Sequence, residues 1–204
     1  MNKLSIRLLA TAVIALGFSA CTTTLPKQAS HSFTYDPPVK APKNHSAVKV
    51  KLSTGAQRLY VVEGNEVLLA TPATVGKASS PTPQGDFTIY SKQAHRRRIS
   101  QPGAGYPMTY WMEFKPAYGM HWGFMKPYPN TMGCVRLPLK SAKKVFDLVR
   151  SGTPVNIAPS QPWDTTIGKS LPNLDDSHLP DPPNSYMNSQ QVFADAHKGK
   201  MWNY

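Results

Sequence analysis

Two cysteines among 204 residues are too few for a disulfide framework of the kind that staples small secreted domains. Acidic residues are also scarce: 11 Asp and Glu stand against 23 Lys and Arg, leaving a formal net charge of +12. Long hydrophobic runs are missing. The apolar stretch Leu8 to Phe18 is much shorter than the roughly 20 residues needed to span a bilayer, and no second candidate follows it. No internal repeat is visible, which excludes solenoids and propellers.

What is present begins with an export pattern. Lys3 and Arg7 supply a positive start, Leu8 to Phe18 the short apolar core, and Phe18-Ser19-Ala20-Cys21 resembles a lipobox whose cysteine is acylated. The expected arrangement is a signal peptide over 1–20 with lipid on Cys21; ordinary cleavage nearby is the alternative. Thr22, where an Asp would signal retention, points by resemblance to sorting rules toward the outer membrane, with the protein on the periplasmic side of the envelope. Such an export route leaves Cys134 as the one unmodified thiol in an oxidising compartment, which suggests that it is kept for use. Exported chains rarely meet nucleic acid, and the basic runs lack the aromatic interleaving of a nucleic-acid reader. The expected anionic partners are wall carboxylates and lipid headgroups. His95-Arg96-Arg97-Arg98 is the densest patch, read equally as a solvated loop or a substrate- or wall-binding surface.

Residues 21–46 contain Pro26, Pro37, Pro38 and Pro42 and read as an extended tether. From Val48 the pattern becomes that of short strands: Val48 to Leu52 alternates with lysines, and Gln57 to Val62 and Glu66 to Thr71 follow across Gly-containing turns. Further strands are expected at Asp86 to Ser91, Tyr110 to Phe114 and Gly119 to His121, then a closing strand at Thr153 to Ala158. One amphipathic helix is expected over Leu139 to Ser151, with Ala142, Val145, Phe146 and Val149 on one face and Gly152 as its stop. These elements define one mostly-β domain over 47–158, of ordinary size for a single core. Residues 159–204 read as a polar, Pro-rich tail that Trp163, Leu171, Leu179 and Phe193 can pin to the domain.

The chemistry concentrates between Gly119 and Leu137, GMHWGFMKPYPNTMGCVRL. Cys134 becomes a strong nucleophile only as thiolate, and a nearby imidazole such as His121 lowers a thiol pKa. Gly133 permits close approach of backbone to a substrate carbonyl. A buried, inert Cys134 is the competing reading, weakened by loop-like neighbours Asn130, Thr131 and Gly133.

Five segments in order, Gln57 to Val62, Pro81 to Ile89 (PTPQGDFTI), His121-x-Gly123, Gly133 to Leu137 and Gly152 to Val155, resemble the L,D-transpeptidase (YkuD-type) catalytic domain. The resemblance implies a β-sandwich-type fold with the cysteine in a loop beside the main helix. It implies Cys134 as nucleophile, His121 as proton donor and acceptor, and backbone N–H groups around Gly133 and Cys134 as oxyanion donors. Arg136, Trp122 and Thr131 are implied at the substrate side, with Tyr110 and Trp111 as further cleft aromatics; the competing role of all three aromatics is core packing, and that of Arg136 is tying the loop. The implied activity is acyl transfer on peptidoglycan stem peptides through a thioester, with no metal or organic cofactor. One departure stands out: the family's usual Ser/Thr-His-Gly-Cys is Thr131-Met132-Gly133-Cys134 here. A same-fold carboxypeptidase or endopeptidase using water is one alternative; a non-catalytic wall-binding lipoprotein is another. Oligomeric state is left open.

Overall fold

The computed structural model describes residues 31–98 and 105–204. The expected signal peptide and the lipidated Cys21 lie outside the described residues.

Period-2 alternation builds the first sheet. β1 (Val48–Ser53), β2 (Arg58–Glu63) and β3 (Glu66–Pro72) form an antiparallel meander. On one face Val50 lies opposite Val61 and Leu52 opposite Leu59, all of them buried. β9 (Pro154–Ala158) joins parallel to β1, and β4 (Gly85–Thr88) closes the sheet in the order β3-β2-β1-β9-β4. Where one strand was expected over Asp86 to Ser91, the chain changes sheets. The Ile89 N–H bonds Thr153 O beside the first sheet, and the next amide, Tyr90, bonds Glu113 O in the second.

That second sheet runs β5 (Ser91–Gln93), β6 (Trp111–Lys115), β7 (Tyr118–Trp122) and β8 (Val135–Leu137) in sequential order. β7 and β8 are parallel, with Met120 beside Val135 and Trp122 beside Leu137. Met112, Met120, Trp122, Val135 and Leu137 point inward and are fully buried. They share one core with the inner face of the first sheet and with α1 (Leu139–Leu148). The arrangement is the expected mostly-β, two-sheet domain with one main helix. The helix ends short of Ser151: Val149 is already extended, and Lys92 Nζ donates to the Phe146 and Val149 carbonyls while lying over the Phe146 ring. A cation on the last carbonyls of a helix meets both their unpaired lone pairs and the negative end of its dipole.

Both flanking segments are built into this domain. Residues 31–46, within the stretch read as a tether, lie against it: Phe33 is in the core and Glu63 accepts the Lys43 and Asn44 N–H groups. The segment read as a tail covers two further surfaces. Trp163 packs on Tyr60 of the outer face of the first sheet, and Asp164 accepts hydrogen bonds from Tyr60 and Ser53. α2 (Asn184–Asn188) and α3 (Gln191–His197) then bring Tyr186, Val192, Phe193 and Ala196 into the main core, followed by Met201. Among the described residues no helix is long and apolar enough to cross a membrane.

Candidate active site

Parallel pairing of β7 with β8 creates the site. Met120 lies beside Val135 and His121 beside Arg136, so one step back along both strands sets Cys134 next to Gly119. Alternation then divides the side chains. Met120, Trp122, Val135 and Leu137 enter the core, while His121, Cys134 and Arg136 share the outward face of the second sheet. Cys134 and His121 are diagonal neighbours there, His121 lying two residues beyond the position beside Cys134.

His121 is buried at 4% exposure, its ring 5.6 Å from that of Trp111. Nδ1 is 2.5 Å from the Trp122 carbonyl oxygen. A carbonyl only accepts, so Nδ1 carries the proton in this contact and Nε2 is left with a free lone pair. Burial pushes the imidazole pKa down to about 4, helped by the positive charges of Arg136 and Arg96 and opposed by the Trp122 bond. At neutral pH the ring is therefore an uncharged base in a fixed tautomer.

The cysteine loop is tied from several sides. Thr131 Oγ1 donates to the Cys134 carbonyl at 2.5 Å and accepts the Gly133 N–H at 3.1 Å. Thr82, inside the Pro81 to Ile89 motif, accepts the Gly76 N–H and donates to Gly133 O, which explains why that distant motif accompanies the cysteine. Gly133 has φ +106°, and a Cβ there would fall 2.4 Å from the Tyr118 ring. Only glycine fits this backbone and this contact.

Two expectations change on this geometry. The Gly133 N–H is occupied by Thr131, leaving the Cys134 N–H, which has no hydrogen-bond partner among the described residues, as the loop amide able to face an oxyanion. The thiol, expected to be acidified, has its pKa raised. Burial dominates over the Gly119 N–H and the Arg136 and Arg96 charges that favour thiolate. In the resting site Sγ lies 3.8 Å from the Ala117 carbonyl oxygen, as a neutral thiol beside a neutral imidazole.

The remaining residues separate clearly. Arg136 lays its aliphatic stem across Gly123 and reaches toward the Phe124 carbonyl, while its main chain bridges to Thr74. Trp122, expected at the substrate side, is wholly buried on the opposite face, stacked on Tyr106. Strand alternation sends it there because His121 takes the outer face. Tyr110 likewise belongs to the core. Trp111 is on the site face: its ring covers Gly119 so closely that a Cβ would lie 2.7 Å away. Met132, where the family usually has histidine, is 64% exposed at the lip.

Sequence reasoning missed Glu113 and misjudged Arg96. Glu113 is 8% exposed and pairs with Arg96 at 3.2 Å, while Arg96 stacks on Trp111 at 4.4 Å. Arg97 donates to Met187 O and Ser189 O and covers Phe193, so it clamps the C-terminal segment. The basic run is thus structural at these two positions. Both are committed to internal partners, which removes them from a solvated or wall-binding patch. Among the described residues no group of three or more His, Cys, Asp or Glu is placed to hold a metal ion.

These features define a two-sheet domain carrying a cysteine and a histidine on the outer face of its second sheet. Residues 47–157 match the sequence model of the YkuD family, the L,D-transpeptidase catalytic domain, and the chain belongs to that family. The chain is 31% identical over 113 residues to the YkuD protein of Bacillus subtilis, covering 53% of this chain and 64% of that one. With the YkuD protein of Bacillus licheniformis it shares 28% identity over 117 residues, covering 54% of this chain and 66% of the other. The match thus spans just under two thirds of the length of these curated relatives. A crystal structure of an L,D-transpeptidase from Stackebrandtia nassauensis has the same fold, with TM-score 0.51 at 23% identity, covering 61% of this chain and 60% of that one.

Proposed function

We propose that this protein is a peptidoglycan L,D-transpeptidase with Cys134 as nucleophile and His121 as general base. The observation that carries the reading is the shared sheet face of Cys134 and His121, with Nδ1 held on the Trp122 carbonyl so that Nε2 is the basic atom. The substrate is a tetrapeptide stem, cleaved between its third residue (commonly diaminopimelate) and the terminal D-alanine. As Sγ attacks that carbonyl, Nε2 takes the thiol proton, so no resting thiolate is required. The Cys134 N–H supports the developing oxyanion, and loss of such a donor typically costs about 3–4 kcal/mol. Collapse breaks the C–N bond, His121 returns the proton to the departing D-alanine amine, and a thioester remains. An acceptor amine then attacks the thioester, losing its proton to His121, which passes it to the departing sulfur and so restores the neutral thiol and imidazole. The acceptor is a second stem, a free D-amino acid or a protein lysine. No step calls for a metal or organic cofactor.

The export pattern supports an envelope location, with Cys21 as lipid anchor and the domain on the periplasmic side of the outer membrane. Arg136, beside the thiol on the same face, is the candidate contact for a substrate carboxylate.

The test is mass spectrometry of muropeptides incubated with soluble residues 22–204, with and without a free D-amino acid, and with Cys134→Ala as control. Exchange of D-alanine for the added amino acid, or appearance of dimers, supports the proposal. Loss of D-alanine to water alone assigns a hydrolase of the same fold. Untouched substrate with a correctly folded protein leaves the wall-binding lipoprotein.

A further inference from the structure

On the catalytic face, next to the cysteine and histidine, sits a buried carboxylate that takes no part in the acyl transfer described above. Glu113 Oε1 accepts the Ala117 N–H at 3.1 Å. Its Oε2 accepts from Trp111 Nε1 at 3.2 Å and pairs with Arg96 Nη1 at 3.2 Å. The Tyr90 hydroxyl is near enough to the same carboxylate to favour its ionised form. Burial alone would raise the Glu113 pKa; these bonds and the Arg96 charge outweigh it and hold the group ionised.

Both ends of this cluster lead back to the reacting pair. Ala117 lies in the β6–β7 turn with φ 66°, a left-handed conformation that costs energy for a residue with a Cβ and persists only when its surroundings hold it. Its carbonyl faces Cys134 Sγ, and its N–H is the group that Glu113 holds. At the other end, Trp111 is fixed by Glu113 through its indole N–H and by Arg96 stacked on its ring. That ring forms the wall over Gly119 and beside His121. We infer that Glu113, locked by Arg96, is a positioning residue that sets the Cys134 thiol through the Ala117 peptide and the His121 imidazole through the Trp111 ring.

The pair is also electrostatically balanced. Arg96 favours the Cys134 thiolate and Glu113 opposes it; the other groups bearing on the thiol are Arg136 on β8 and the Gly119 N–H, while the neighbouring His121 imidazole on the same face is uncharged at neutral pH. Removing one member of the Arg96–Glu113 pair leaves the other uncompensated, and the two removals act in opposite directions.

This inference rests on the proposed roles of Cys134 and His121, but its test does not need a substrate. The full chain is alkylated with iodoacetamide across a pH range, and modification at Cys134 is read by peptide mass spectrometry. Glu113→Gln is expected to move the pH–rate profile to lower pH, and Arg96→Gln to higher pH. In the muropeptide assay both variants are expected to lose on the order of tenfold to a hundredfold in kcat with KM within twofold, as a displaced reacting pair requires. Profiles that overlay the wild type, or that shift in the same direction in both variants, overturn the inference. So does a kcat unchanged in a folded Glu113→Gln variant. If the wild type consumes no muropeptide while the two alkylation profiles still separate, the proposed function fails and the positioning of the thiol stands.

Discussion

Thr131 Oγ1 ties the backbone on both sides of the Cys134 side chain: it donates to the Cys134 carbonyl and accepts the Gly133 N–H. One buried hydroxyl therefore sets the backbone angle at which the thiol leaves the loop. Thr131→Val keeps the volume but strands both groups, and an unpaired buried polar group costs about 1–3 kcal/mol. The expected outcome is a folded protein whose kcat falls roughly tenfold or more, with Thr131→Ser close to wild type because it retains the hydroxyl. Steady-state kinetics on the three proteins checks this.

His121 makes stability depend on acid. Its folded pKa of about 4 lies below the 6.5 of an exposed imidazole. Between those values the unfolded chain binds the proton and the folded chain does not, so stability rises with pH there. The contribution is full above about pH 6.5 and is lost as pH falls toward 4, an amount on the order of 3 kcal/mol. Urea denaturation at pH 7 and pH 4.5 is expected to show this loss in the wild type and a smaller one in His121→Gln. The same depression keeps the base unprotonated in mild acid. The acidic limb of kcat/KM is therefore expected well below pH 6.5.

The N-terminal and C-terminal segments meet at Asp176. Its carboxylate is 4% exposed and accepts the Ser32 N–H, the Ser32 hydroxyl and the Met125 N–H, each at 2.7 Å. Asp176→Ala is expected to destabilise the protein by about 3 kcal/mol, since three buried donors lose a charged acceptor. A drop of roughly 6–12 °C in Tm corresponds to that loss for a chain of this size. Thermal melts of the wild type and the variant check it.

Much of the domain was legible because its signals are local. Lysines alternating with Val48, Val50 and Leu52 identify β1, and the apolar stripe of Leu139 to Leu148 identifies the helix. His121 and Cys134 stood out by residue type. The rest depends on contacts between distant residues. Val135–Leu137 is too short to carry a period, and it becomes a strand only through pairing with β7. Tyr186, Val192, Phe193 and Met201 have no regular spacing, so their place in the core follows from tertiary packing alone. Arg96 reads as one charge in a basic run until Glu113 and Trp111 are brought beneath it by β6. The thiol's pKa depends on burial, which a motif does not display.

The central claim is that Cys134 carries the acyl group. Intact-protein mass spectrometry after rapid acid quench, with purified tetrapeptide muropeptide and no added amine, tests it most directly. The account predicts a mass increase equal to the tripeptide-stem acyl group on the wild type, located to Cys134 by peptide mapping and removed by hydroxylamine. It predicts no adduct on Cys134→Ala. D-Alanine release by a folded Cys134→Ala protein, or an adduct mapped to another residue, would contradict it.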